Sequence, residues 1–560
     1  MRAFRVLEVC LPLAASLLLL GVLGELWWAR IPYPFDLEWM EGGMLAHAWR
    51  LQHHLPLYVE PNPDFVPFIY PPGYSALLAA LSKIFGLTPA LGRWVSVISI
   101  VAASAALVFA VRGEGGRWPV ALGTAAVFLG TYPQAGAFFD LIRPDSLSVA
   151  LLGWSIAIGL RRERGAEIAS GLLLAAAFLC KHNAALFGFP MVIGLAMRGW
   201  RGALRFTLAS VLPALAVTAL LQWRSSGLFL TYLLEVPSAH EMIWARARDH
   251  TPRELGTALP FAIGLAGVAT LLTAVRRQCN VPSWLAAALP VWLGIGVAWA
   301  GTYYPPAPNS GVLNVPSAIA YWGLTVGLIA PGVRIVGTAL DRRRGLPGDP
   351  LSPSAVHGLA LAGTAVIGAM LMRAHDGGFV NVHIPMFWTI SLALGITLTR
   401  WRAASDALVV RAVVLLGLSG QLLWATSRID REQLRPTRAD AEIGWAFVRA
   451  ARGIEGPVLS PFGSWIPVYA GRPPSIHAMA VWDCDHEGGP LLDELSSIAT
   501  ALRQHEWVLV FGGTHPFLGK LTDHYVPIEV IVEPSDPLFW PNTGFMGRPW
   551  RLMVPRPGYE

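Results

Sequence analysis

The sequence predicts a polytopic α-helical membrane protein of about 13 transmembrane helices, carrying a small C-terminal α/β domain outside the membrane. Three observations predict it. Apolar stretches recur along the chain up to about Trp424, and roughly 20 apolar residues suffice to cross a bilayer as a helix. Charged residues make up 14% of the chain against 54% hydrophobic, whereas a soluble domain carries about 25% charged residues to face water. The arginines sit in short clusters between the apolar stretches, as topology determinants do.

The first apolar stretch, Val6 to Trp28, follows Arg2 and Arg5. It is too long for a signal-peptide core and lacks a small-x-small cleavage site before Trp27 and Trp28, so it reads as an uncleaved first span. The Arg-rich loops are 112–117, 161–164, 198–205, 276–277, 342–344 and 400–402. If all are cytoplasmic, two spans fall between each consecutive pair. The opposite loops are then 138–145, 181–183, 223–254, 302–315 and 374–383. Pro71 to Phe85 is apolar, but as a span it would put Arg112 and Arg117 outside. Short, and opening on Pro71-Pro72, it reads as an interfacial or re-entrant helix on the outer face. The N-terminus is then cytoplasmic and the C-terminus outside.

After Trp424 the pattern changes. Charged helical patterns cover Arg438 to Arg452 and Leu491 to Arg503. Strand-like runs cover Pro457 to Leu459, Trp507 to Phe511 and Ile528 to Val532, punctuated by Gly and Pro. The division is therefore 1–427 for the membrane domain and 428–560 for the outer domain.

The net charge of +6 does not indicate a nucleic-acid partner, because its arginines form no single patch. Cys10, Cys180, Cys279 and Cys484 are isolated, so no disulfide framework is expected. The run from Asp483 to Glu487 has metal-ligand types, but they are contiguous rather than spaced for one coordination sphere. No metal site is expected there. P-loop, GxGxxG and HExxH patterns are absent where they could work.

Chemistry-bearing side chains concentrate in the outer loops. Asp36 follows the first span and precedes a helical stripe of Leu37, Met40, Met44, Ala48 and Leu51, which would lie along the membrane surface. Asp36 is a candidate base, or simply the cap of that helix. Glu38 and Glu41 read more easily as a solvated face. Arg143 and Asp145 stand at the start of a span, either functional or a capping ion pair. Lys181 lies between two apolar stretches with only His182 and Asn183 for polar company. A charge at the bilayer centre costs at least about 2.5–3.5 kcal/mol, although a lysine at the interface snorkels cheaply. In the Gly377-Gly378 loop, His375, Asp376, Asn381 and His383 could line a cavity or merely decorate a turn. Tyr303 to Pro306 reads as an interfacial aromatic belt or part of a groove. Cations beside carboxylates at headgroup level suit a phosphate leaving group and a base that accepts a hydroxyl proton.

Four of these segments resemble the GT-C superfamily of membrane glycosyltransferases, whose members include lipid A aminoarabinose transferases, protein O-mannosyltransferases and arabinofuranosyltransferases. They are Asp36-Leu37-Glu38 after the first span, Tyr70-Pro71-Pro72-Gly73-Tyr74, Arg143-Pro144-Asp145, and Phe178-Leu179-Cys180-Lys181. Tyr70 stands where relatives often carry Lys or His, and Asp36 is followed by Leu rather than a second acid. The resemblance implies a GT-C-like fold and inverting transfer of a sugar from a polyprenyl-phosphate donor to a hydroxyl of a glycan, lipid or protein acceptor. It implies work at the outer face of a bacterial inner membrane. Asp36 would be the base, Asp145 or Glu38 its supporting carboxylate, and Arg143 and Lys181 the lipid-phosphate site, with Tyr70 and His182 lining the cavity. No cofactor is expected, although some branches use a divalent cation.

Two other classes compete. A transporter or flippase for lipid-linked saccharides should carry charge or broken helices near mid-membrane, whereas these charges gather at one face. A ligase or polymerase would place its groups in a large late loop, for which 223–254, with Arg246, Arg248 and His250, is the candidate.

Overall fold

The computed structural model describes residues 2–262, 353–404, 408–513 and 521–557. It is mostly helical. Among these residues, Val6–Arg30, Pro89–Gly113, Trp200–Arg224 and Val380–Thr399 are long and apolar enough to cross a membrane. Shorter apolar helices include Trp118–Leu129, Ala166–Cys180, His182–Ala196, Ala360–Ala374 and Val414–Ser427. The spans expected around Arg276, Arg277 and Arg342 to Arg344, and the Tyr303 to Pro306 motif, lie outside the described residues. Gly73–Phe85 is a 13-residue helix, as the Pro-Pro start suggests.

Local chemistry sets the helix ends. Thr88 accepts from the Leu91 backbone N–H at 3.2 Å, and Pro89 begins the following helix. Lys181 is extended and stops the Ala166–Cys180 helix. Small residues let helices approach closely: Ser155 Oγ donates to the Ser170 carbonyl at 2.8 Å and Ser170 Oγ to the Ser155 carbonyl at 2.7 Å.

The bundle has two chemically distinct ends. At one, arginines satisfy the orphan carbonyls of helix C-termini. Arg161 donates to the Phe109 carbonyl at 3.3 Å, and Arg198 donates to the carbonyls of Leu160 and Arg161. The Pro144–Gly159 helix runs from Arg143 to this end. Arg143, Lys181 and His383 therefore sit at the opposite one.

The C-terminal region covers that opposite end. Strands β1 (Val458–Leu459), β2 (Leu509–Gly513), β3 (Tyr525–Val530) and β4 (Pro549–Pro555) form a sheet ordered β1-β2-β4-β3. β1 pairs parallel with β2, while β4 lies antiparallel to both β2 and β3. The Arg438–Arg452 helix opens on a capping box of Thr437 and Asp440. Three expected strands are found with shifted ends; β4, bounded by prolines, lies outside the expected strand-like runs. Tyr469 OH donates to the Pro34 carbonyl at 2.7 Å, the Asn542 N–H to the Leu37 carbonyl at 2.8 Å, and Thr543 Oγ1 to the Gly136 carbonyl at 2.6 Å. Phe35 packs edge-on against Trp445, Tyr469 and Phe539.

Candidate active site between the bundle and the C-terminal region

The site is built on a buried ion pair. Arg93, near the start of Pro89–Gly113, donates to both oxygens of Glu41 at 3.1 and 2.6 Å. It also donates to the carbonyls of Arg30, Tyr33 and Phe35. Glu41 in turn accepts the backbone N–H groups of Leu37 at 2.7 Å and Ile142 at 2.9 Å. One guanidinium and one carboxylate thus fix the first loop and bind it to the residue before Arg143.

Glu38 and Glu41, whose spacing suggests a solvated face, are both buried. The helix begins at Glu41 rather than Asp36, and residues 41–48 are buried rather than laid along a surface. The reason is Arg93, a charge within an apolar stretch that draws in a compensating carboxylate.

Arg143 is the hub. Its Nη1 donates to Glu38 Oε2 at 3.3 Å and its Nη2 to the Tyr70 hydroxyl at 2.9 Å, and it also contacts Met40 Sδ. Its Nε lies 4.0 Å from Asp145 Oδ2. Asp145 Oδ1 accepts from Lys181 Nζ at 2.6 Å and from Asn381 Nδ2 at 2.9 Å. Arg143 Nε and Asp145 Oδ2 are buried and have no hydrogen-bond partner among the described residues. Lys181 is the most open of the charged members, with its side chain 12% exposed against 2% for Asp145 and Glu38. A Cβ on Gly73 would meet the Leu179 carbonyl at 2.5 Å. Glycine there brings the helix that follows Tyr70 against the turn that carries Lys181.

Burial pushes the Glu38 carboxyl up to about 7, with Arg143 opposing and Glu41 reinforcing the shift. Burial likewise pushes the Tyr70 hydroxyl up to about 12. A backbone segment of the C-terminal region covers Glu38: Thr543 bridges it, and a Cβ on Gly544 (φ +82°) would lie 2.9 Å from Glu38 Oε1.

The expected residues thus divide into groups. Glu38, Tyr70 and Arg143 form one hydrogen-bonded group and Asp145, Lys181 and Asn381 another, and the 4.0 Å ion pair of Arg143 with Asp145 joins the two. Asp36 is not bonded into either. Its carboxyl is raised well above its usual range by burial and by Glu41, and its Oδ2 has no hydrogen-bond partner among the described residues. It faces a cleft lined by Phe462, Trp465, Tyr469 and Arg548. His182 adjoins this group through Lys181, its imidazole pushed down to about 4 by burial, then by Lys181 and His375. His375 bonds the Pro237 carbonyl, and Asp376 pairs with Arg246 at 2.8 Å. His383 contacts Glu254 at 2.5 Å, which also pairs with Arg373. Asp376 and His383 are therefore turned toward residues 246–254. Of the late-loop groups, Arg248 pairs with Asp249 and His250 contacts Arg373.

Sequence reasoning missed three contributors. Arg93 carried a readable signal, a charge inside an apolar stretch. His477 carried none, and Asp483 stood out only as one of a contiguous run of metal-ligand types, because their relation to the site depends on how the C-terminal region docks. Among the described residues no group of three His, Cys, Asp or Glu is arranged to hold a metal.

Residues 70–223 match the sequence profile of the dolichyl-phosphate-mannose-protein mannosyltransferase family. That segment contains Tyr70, Arg143, Asp145, Lys181 and His182. No curated protein matches. Among solved structures, ArnT from Cupriavidus metallidurans bound to undecaprenyl phosphate is 14% identical, covering 96% of this chain and 97% of its own, with a TM-score of 0.46. The archaeal oligosaccharyltransferase AglB from Archaeoglobus fulgidus, in complex with an inhibitory peptide and a dolichol-phosphate, is 12% identical, covering 90% and 69%, with a TM-score of 0.44. Across residues 70–223 the match to a mannosyltransferase family bears out the resemblance to GT-C membrane glycosyltransferases that the loops of this chain carry.

Proposed function

We propose that the protein is an inverting glycosyltransferase that moves a sugar from a polyprenyl-phosphate donor to a hydroxyl acceptor at the outer face of a bacterial inner membrane. One observation carries this reading: two cations, Arg143 and Lys181, share Asp145 beside the buried carboxyl of Glu38, at the end of the bundle away from the arginine clusters. Such a pair can take a lipid phosphate at headgroup level, Lys181 as a point charge and Arg143 through its planar fork.

In the proposed step, Glu38 accepts the proton of the acceptor hydroxyl and the acceptor oxygen bonds to the anomeric carbon. The bond from that carbon to the phosphate oxygen breaks, and its electron pair leaves on the phosphate. Arg143 and Lys181 neutralise the departing charge. Glu38 is favoured over Asp36 as base because it shares Arg143 with the phosphate site, and a carboxyl near 7 is matched to proton transfer at neutral pH. Asn381 would hold Asp145 in place. The region after residue 427 forms an outer α/β domain that closes over the acceptor side.

The test uses purified protein with polyprenyl-phosphate-linked mannose, glucose and arabinose, measuring release of polyprenyl phosphate. Turnover that falls in Lys181→Ala is expected. Transfer that proceeds without any lipid-phosphate donor would overturn the reading.

A further inference from the structure

The buried polar groups of the C-terminal region include one left without a hydrogen-bond partner among the described residues. Asp483 sits on the short helix Ala478–Cys484, and its residue is 2% exposed. Its Oδ1 is buried without a hydrogen-bond partner among the described residues, the nearest cationic candidate being His240 Nε2 at 3.9 Å.

The helix is pinned at both ends to bundle loops that flank Arg143. At its start, His477 Nε2–H donates to the Trp39 carbonyl at 2.6 Å, while its Nδ1 accepts the Met479 N–H at 2.9 Å. The His477 ring also packs edge-on against Phe68, close to Tyr70. At its end, His240 Nε2–H donates to the Asp483 carbonyl at 2.9 Å, and Trp482 packs on Gly377. Asp483 feels the charge of Arg143, and Tyr70 in turn feels that of Asp483. Burial holds its carboxyl well above the usual carboxylate range, with Arg143 opposing. A carboxyl accepts from a hydroxyl when ionised and both accepts and donates when protonated, so it suits a hydroxyl in either state. A phosphate is better served by Arg143 and Lys181, since a carboxyl adds no positive charge.

We propose that Asp483 is the group through which the C-terminal region contacts the sugar being transferred, its unpartnered oxygen taking a sugar hydroxyl beside Arg143. The inference rests on the glycosyl-transfer reading and gives the donor sugar a contact from outside the bundle. It separates the lipid-phosphate site, made by the bundle, from a sugar contact made by the region that covers it.

Binding of two probe classes to the full-length protein tests it: undecaprenyl phosphate without sugar, and undecaprenyl phosphate linked to mannose, glucose or arabinose. In Asp483→Ala, affinity for the sugar-bearing lipid that the wild type binds best should fall about tenfold, while affinity for the sugar-free lipid stays within about twofold. Asp483→Asn, nearly isosteric and neutral, should melt with the wild type and lose less sugar-bearing affinity, so the test survives if the alanine variant fails to fold. Equal losses on both probes would mean that Asp483 only positions Arg143, and no loss on either would mean that it touches nothing. Each result overturns the proposal. Failure of the wild type to bind even the sugar-free lipid would instead overturn the glycosyl-transfer reading.

Discussion

Glu38 illustrates how one side chain's surroundings set its expected chemistry. Its carboxyl, lifted to about 7 by burial against the pull of Arg143, is charged above that pH and protonated below it. If it is the base, kcat/KM should fall tenfold per unit as pH drops below about 7, and Glu38→Gln should lower turnover by about 10²–10⁴-fold and remove that limb. A pH–rate profile of both proteins checks this. A glutamine variant with the wild-type profile would return the role to Asp36. Asp36→Asn should leave sugar-free polyprenyl phosphate binding within about twofold, because Asp36 makes no bond to Arg143 or Lys181; a direct binding assay decides it. At this scale Lys181 was legible as a charge between apolar stretches, and Arg143 with Asp145 as an ion pair at the start of a span. Asp483 was not, for its sequence surroundings read only as contiguous metal-ligand types, and its place beside His240 depends on how the C-terminal region docks.

Among elements, the first loop and the Pro89–Gly113 helix form the most heavily bonded joint. Arg93 is fully buried, and removing one partner of such a pair leaves the other charge uncompensated. Arg93→Met should therefore cost about 3–5 kcal/mol of stability. Arg205→Met, which breaks a half-exposed pair with Glu167, should cost no more than about 1 kcal/mol. Thermal melts in detergent compare the two. Gly544→Ala should impair turnover without unfolding the protein, since its methyl would collide with Glu38 only where the covering segment closes. The number of crossings was read from charge alternation, and the described helices keep the arginine loops at one end as that reading requires. Helix Arg438–Arg452 was legible to the residue because its capping box and amphipathic pattern agree. Strand β4 was not, because its register is set by β2 and β3 rather than by its own alternation.

For the whole molecule, the candidate centre draws on residues 36 to 41, 70, 143 to 145, 181 and 381, with 477 to 483 and 543 to 544 closing it from outside. These parts are joined by a surface stretch in which Arg428, Asp430 to Gln433 and Arg435 are exposed, while Arg30 grips it through the Leu434 carbonyl. Contacts at Pro34, Leu37, Trp39 and Gly136 hold the C-terminal region independently of that stretch. A protease recognition site inserted at residue 432, cleaved after folding, should give two polypeptides that co-elute in detergent and keep most of the turnover. Elution of the pieces as separate peaks would refute this.

The same arrangement bears on how the protein could be divided. A chain whose two portions clasp through dispersed contacts rather than through their peptide link can be reconstituted from separately made halves. If the proposed roles hold, the helical portion prepared alone would capture lipid phosphate, and adding the C-terminal portion would restore discrimination between sugars.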